Sequence, residues 1–142
     1  MNLNQFQRAA GISAELATRW YPHIDAAMTE FGINSPLEKA MFIAQVGHES
    51  NSFKATRENF NYSVQALLLT FYPARITKDQ ALTLGRKAGE SALSLDRQKA
   101  IANLVYQKRF GNKLAGDGWK YRGGGLIQTT FLDNYRATGN GI

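Results

Sequence analysis

Ala44-Gln45-Val46-Gly47-His48-Glu49-Ser50-Asn51-Ser52-Phe53 is followed, after a short polar turn, by Arg57-Glu58-Asn59-Phe60-Asn61-Tyr62-Ser63. The first stretch closes a largely apolar helix, Leu37 to Val46, which the pattern ends at Gly47. Its start is well marked. Ser35-Pro36-Leu37-Glu38 is a capping box with proline at the first helical position. Leu37, Ala40, Met41, Phe42, Ile43, Ala44 and Val46 make this helix apolar on nearly every side, the composition of a helix at a domain's centre. Glu49 is therefore expected on a buried platform, beside helix C-terminal carbonyls and with little access to water, a setting suited to a proton donor. Glu58 follows nine residues later with Arg57, Asn59 and Asn61 around it and no apolar helix behind it, a setting suited to a proton acceptor.

Outward from this stretch the chain reads as a succession of helices. Leu3, Phe6 and Ala10 share a helical face that stops at Gly11. Ser13 is placed to cap a longer helix bearing Leu16, Trp20, Ile24, Ala27, Met28 and Phe31, which Gly32 ends. Pro22 falls inside that pattern and predicts a kink or two shorter helices. Trp20, Tyr21 and His23 read as packing groups. Downstream, Ser63 caps a helix with Leu67, Leu68 and Phe71 inward and Pro73 beyond its end. Thr77-Lys78-Asp79-Gln80 is a second capping box, opening a helix through Leu82 that fades near Gly89. Ser94 starts another, with Leu95, Ile101, Leu104 and Val105 as its apolar face. Period-two alternation is missing, and only Trp119 to Tyr121 is a candidate for brief strand pairing. The fold class is mainly α.

Composition narrows the partners. A chain of 142 residues, 44% hydrophobic, suits one compact domain, residues 1–142. No apolar run reaches the roughly 20 residues that span a bilayer, so stable membrane insertion is not expected. Met1-Asn2-Leu3-Asn4-Gln5 lacks the basic and apolar regions of a secretory signal, which predicts synthesis in the cytoplasm. With no cysteine and only His23 and His48, neither disulfides nor a metal cluster is expected. Net charge is +6, an attraction to polyanions. The basic residues are scattered, and only Gln107-Lys108-Arg109 approaches a run, so nucleic acid is not the expected partner and an anionic wall polymer fits as well.

Gly111, Gly116, Gly118, Gly123, Gly124 and Gly125 crowd one stretch that also holds Trp119 and Tyr121. Such density lets backbone approach a ligand closely or supplies positive φ in tight turns. The Gly-Lys-Ser/Thr ending of a phosphate-binding loop is missing. A sugar cleft with aromatic walls accounts for both the glycines and the rings. Two carboxylates in unlike settings add the chemistry of glycosidic hydrolysis, one giving a proton and one activating water. The plain alternative makes Glu49 a helix cap and Glu58 a surface charge.

Three motifs in one order decide between them. His48-Glu49-Ser50, then Arg57-Glu58-Asn59-Phe60-Asn61-Tyr62-Ser63, then Gly116-Asp117-Gly118-Trp119-Lys120-Tyr121-Arg122-Gly123-Gly124-Gly125-Leu126-Ile127-Gln128 resemble the family 19 glycoside hydrolases, and among them the short bacteriophage endolysins. The resemblance covers roughly residues 35–135. It implies a lysozyme-like, mainly α-helical catalytic domain with a glycine-rich cleft wall. The implied activity is inverting hydrolysis of β-1,4 bonds in peptidoglycan glycan strands. In those terms Glu49 is the acid, Glu58 the base and Thr130 the holder of the attacking water. Gln128, Tyr121, Asn61, Tyr62 and Asn134 would contact the substrate. No metal or organic cofactor is implied, and a monomer is expected, made in a host cytoplasm and acting on the wall after release. A chitinase and a non-catalytic wall-binding domain are the alternatives. The sequence departs from the family at Gly124, where an arginine is usual. Relatives also continue for several helices past the position of Ile142, so a form short at its C-terminus is expected.

Overall fold

The computed structural model describes residues 1–141 and is mainly α, with eight helices among the described residues. They fall into two compact units. One comprises Met1–Thr56 with Gly125–Gln128, and the other Arg57–Gly124 with the chain from Thr129 onward.

In the first unit, α1 (Leu3–Ala10) begins at Asn2, whose side chain accepts from Gln5 N while the Gln5 side chain accepts from Asn2 N. Ser13 caps α2 (Ala14–Glu30), and the Ser35/Glu38 box caps α3 (Pro36–Glu49). Of the two outcomes expected at Pro22, a division of α2 into shorter helices does not occur. The proline stands in one unbroken helix, where its missing N–H costs only the bond to the Thr18 carbonyl, on an exposed face that water reaches. Phe6, Ala17, Ile24, Met28, Ile43, Val46 and Phe53 form the core.

α3 corrects two expectations. It is not a central helix: only Ile43 and Val46 are buried, while Leu37 and Met41 are 71% and 64% exposed. Nor does it end at Gly47. The helix passes through Gly47 and His48 to Glu49, and the glycine serves packing instead. A Cβ there would stand 3.3 Å from the ring of Phe53.

Beyond Glu49 the chain reverses through three consecutive left-handed residues, Asn51, Ser52 and Phe53, with φ of 50, 56 and 64°. Each costs an L-residue roughly 1–2 kcal/mol. Several contacts offset that cost. The Phe53 ring is 1% exposed and meets Phe6 edge-on at 5.5 Å. The buried Ser50 hydroxyl donates to Val46 O and accepts from Phe53 N. Trp20 Nε1 donates to Phe53 O at 3.0 Å. Trp20 is thus the packing group the sequence predicts, and it secures the turn that follows Glu49.

The second unit contains α4 (Val64–Phe71), α5 (Lys78–Leu84), α6 (Leu95–Tyr106), α7 (Asp117–Lys120) and α8 (Leu132–Asn140). Its core is Phe60, Leu67, Ile76, Ala81, Leu93, Ile101, Ala102 and Val105. Phe60, fully buried, is the hub, with the rings of Tyr106, Tyr62 and Trp119 at 5.4, 6.0 and 6.4 Å. The caps at Ser63, Thr77 and Ser94 form as read. α5 stops at Leu84, short of Gly89, because the chain leaves it to pair: Arg86 N donates to Tyr62 O, and Val64 N to Arg86 O. Gly85 permits this, since a Cβ there would lie 2.7 Å from Val64 Cα. Leu95, read as part of the apolar face of α6, is 55% exposed, and on α5 the buried place is taken by Ala81.

Trp119 to Tyr121 does not pair as a strand. Asp117–Lys120 is the helical turn α7, and the pairings nearby are Arg57 with Gly124 and Gly124 with Thr129. α7 lies directly on α6, where a Cβ at Gly118 would fall 2.6 Å from Asn103 Cα.

Candidate active site

Glu49 is the last residue of α3 and belongs to the first unit. It is exposed, not screened from water as the apolar helix implied. Because α3 is buried along one face only, its final turn stays in solvent. Gln45, one turn earlier, donates through Nε2 to Glu49 Oε1 at 2.9 Å. That amide bond is the local restraint on the carboxylate.

Glu58, in the second unit, is held far more closely. It is half-buried, and each carboxylate oxygen accepts a bond. The phenol of Tyr106 donates to Oε1 at 2.8 Å, and Gly123 N donates to Oε2 at 2.9 Å. The backbone is tied as well, with Glu58 N donating to Gly123 O and Arg122 Nε donating to Glu58 O. Two donors on two oxygens fix both the position and the plane of a carboxylate, which a single bond leaves able to rotate.

The electrostatics follow from this packing. Burial, then the bond to Glu58 and its charge, push the Tyr106 phenol well above its ordinary range, so it is a proton donor throughout neutral and moderately alkaline pH. Burial, then the charge of Glu58, likewise raise Tyr62. Burial, with Arg57 nearby, lowers Arg122. Its guanidinium carbon lies over Trp119, 3.6 Å from the ring centre, a cation–π contact that compensates part of the lost hydration.

Tyr106, Arg122 and Gly123 escape sequence reasoning as site residues. Tyr106 sits 48 positions from Glu58, at the end of a helix whose apolar face reads as complete by Val105. The one available signal is an aromatic hydroxyl at the end of a buried helix, which must find a partner.

The other expected residues are placed as follows. Tyr62 packs between Phe60 and Phe71 and feels the charge of Glu58. Asn61 has a structural duty, its Oδ1 accepting from Leu93 N at 2.9 Å. Tyr121 stacks obliquely on Tyr135, and its carbonyl accepts from Phe131 N. Thr130 follows the Gly124–Thr129 pair, and Asn134 Nδ2 donates to Thr130 O at 2.8 Å. Gln128 is grouped with the first unit and donates through Nε2 to Gly125 O, with its own backbone at φ 53°. The structure therefore brings Glu58, Asn61, Tyr62, Tyr121, Thr130 and Asn134 into one unit, and Glu49 and Gln128 into the other.

Gly124 has a steric reason. A Cβ there would collide with the hydroxyl of Tyr135, which donates to Arg122 O at 2.9 Å, and would lie 3.5 Å from Arg57 Nη1. Gly118 and Gly124 thus serve close internal packing.

A mainly α chain carrying His-Glu-Ser at a helix end in one unit and a doubly bonded Glu58 in the other has the features that the sequence motifs describe. Comparison with known proteins gives the family. The chain is 42% identical over 122 residues to a glycosyl hydrolase family 19 domain-containing protein of Haemophilus influenzae, a match covering 82% of this chain and 54% of that protein. No protein-family model matches it. The chain belongs to glycosyl hydrolase family 19. It spans about half the length of the relative it matches.

Proposed function

We propose that this protein hydrolyses β-1,4 glycosidic bonds of bacterial peptidoglycan by an inverting, one-step mechanism. Glu49 gives a proton to the leaving oxygen, Glu58 takes one from the attacking water, and Thr130 helps to hold that water. The observation that carries the reading is Glu58, fixed through both oxygens by Tyr106 and Gly123 in a chain of this family. A base that must accept a proton along one direction gains from being held before substrate arrives. For Glu49 the support is its place in His48-Glu49-Ser50 and its exposure at a helix end, where a substrate oxygen can reach it.

Among the described residues no helix is long and apolar enough to cross a membrane. The proposed setting is that of an endolysin, made in a host cytoplasm and acting on the wall after release, as a monomer. Purified protein should release reducing ends from isolated Gram-negative sacculi, and Glu58→Gln should not. Sacculi left intact by well-folded wild-type protein would defeat the proposal, and cleavage of colloidal chitin alone would replace it with the chitinase reading.

A further inference from the structure

The cations that look scattered along the sequence are partly gathered in the second unit. One hollow of about 450 Å³ is lined by Lys113, Lys120 and Arg136, with Tyr121, Leu114 and Leu132 among its walls. A second, of about 430 Å³, is lined by Lys108 and Lys113, with Asn103, Gln107 and Leu104. Lys113 and Leu114 border both, so the two adjoin. Each has the size of a site for one sugar or one small headgroup.

The opposing charges are two, both in the first hollow. Asp117 is only 7% exposed, and its Oδ2 is engaged by the backbone N–H groups of Lys113 and Leu114 at 2.9 and 2.8 Å. Asp133 is set against the Gly111 backbone. The ion pairs among the described residues, Arg19 with Glu15 and Arg97 with Glu90, use none of the four lining cations.

We infer that these adjoining hollows bind an anionic glycan, taking its carboxylates on Lys108, Lys113, Lys120 and Arg136 and its apolar sugar faces on Tyr121 and Leu114. Carboxylates recognised by several cations around a concave, partly apolar wall gain both field and orientation. Pockets of this size with an aromatic wall suit a saccharide better than a nucleic-acid duplex. The inference rests on the wall-glycan reading and adds that charge selects the acidic polymer over neutral chitin.

The test uses the full chain carrying Glu58→Gln, so that polymer is bound but not cut, with a thermal melt to verify folding. Retention is measured on native sacculi, on sacculi whose carboxyl groups have been amidated, and on chitin beads. Amidation should weaken binding about tenfold, as should adding Lys113→Gln, Lys120→Gln and Arg136→Gln on native sacculi, and the two losses should not add. Chitin binding should be the same for both proteins. Equal retention of the two proteins on native sacculi would overturn the inference, as would an equal loss on all three polymers. So would tighter, substitution-sensitive binding to a single-stranded oligonucleotide, which would make the surface one for nucleic acid. Protein that binds sacculi selectively without cutting them, when Glu58 is restored, would refute only the hydrolase reading. Protein that cuts them while binding native and amidated sacculi alike would refute only this one.

Discussion

Tyr106 and Glu58 are joined by a 2.8 Å hydrogen bond from the phenol to Oε1, and this bond links the end of α6 to the proposed base. Tyr106→Phe keeps the ring, with its edge-on contacts to Phe60 and Phe131, and removes only the donor. Glu58 would then be held by Gly123 N alone. A bond to a charged group is worth about 1.5–3 kcal/mol, so kcat should fall about tenfold or more while KM changes little. Kinetics on isolated sacculi would show this, and an unchanged kcat would remove Tyr106 from the positioning of the base.

The same tyrosine predicts a pH dependence of stability. Its phenol is raised from an ordinary value of 10.0, so above about pH 10 the unfolded chain releases that proton while the folded chain keeps it. The folded state then binds more protons, and stability falls as pH rises. Tyr106's contribution is complete below pH 10 and is lost progressively above it. Urea melts at pH 9 and pH 11 should show a smaller alkaline loss in Tyr106→Phe than in wild type. Parallel losses would contradict the assignment.

Glu49→Gln and Glu58→Gln should each lower hydrolysis by roughly 10²–10⁴-fold, the usual worth of a general acid or base, with melting temperatures near wild type. Thr130→Ala should cost less, since it removes one orienting hydroxyl, and Thr130→Ser should retain most activity. Thr129 is the neighbouring hydroxyl, but its backbone N–H and carbonyl both pair with Gly124. Comparing Thr129→Val with Thr130→Val at equal folded concentration settles the register. A loss confined to Thr129→Val would place the water on the earlier residue.

The helices that the sequence discloses are those with side-chain caps and an apolar face. Ser13, Ser35, Ser63, Thr77 and Ser94 each accept from a backbone N–H three residues on, and all five starts are legible. α7 is one turn long, and α8 has no capping side chain and no buried residue, so neither leaves a pattern to read. α3 misleads for another reason. Its many apolar residues imply burial all round, but Leu37 and Met41 face water, and the exposure of Glu49 follows from that. For the site, the carboxylates and the glycine stretch lie in local motifs. The groups that hold Glu58 do so across 48 and 65 residues of chain, a separation that spacing cannot reveal.

Arg97 should matter more to stability than its place on an exposed helix start implies. It joins α6 to the end of α5, donating through Nε to Leu84 O and through the guanidinium to Gly85 O and Glu90 Oε1. Two of these acceptors are backbone carbonyls left over where α5 stops. Arg97→Ala should cost about 1.5–3 kcal/mol. Arg97→Lys should recover only part of this, because an ammonium cannot span the three acceptors as a planar fork does. Urea denaturation would measure both, and equal stability of Lys and Arg would mean that charge alone suffices.

Gly124 and Tyr135 provide a coupled test of packing in the glycine-rich segment. Gly124→Ala places a methyl group against the Tyr135 hydroxyl, beside a backbone that pairs with both Arg57 and Thr129. Overpacking of this kind typically costs about 1–3 kcal/mol. Tyr135→Phe alone should be mildly destabilising, since it forfeits the bond to Arg122 O, typically about 0.5–1.5 kcal/mol. In the double variant the hydroxyl that causes the collision is gone, so the two losses should fall short of their sum. A double-mutant cycle by urea denaturation reads the coupling directly. Strict additivity would show that the ring moves aside without cost, and that glycine at this position is not required by Tyr135.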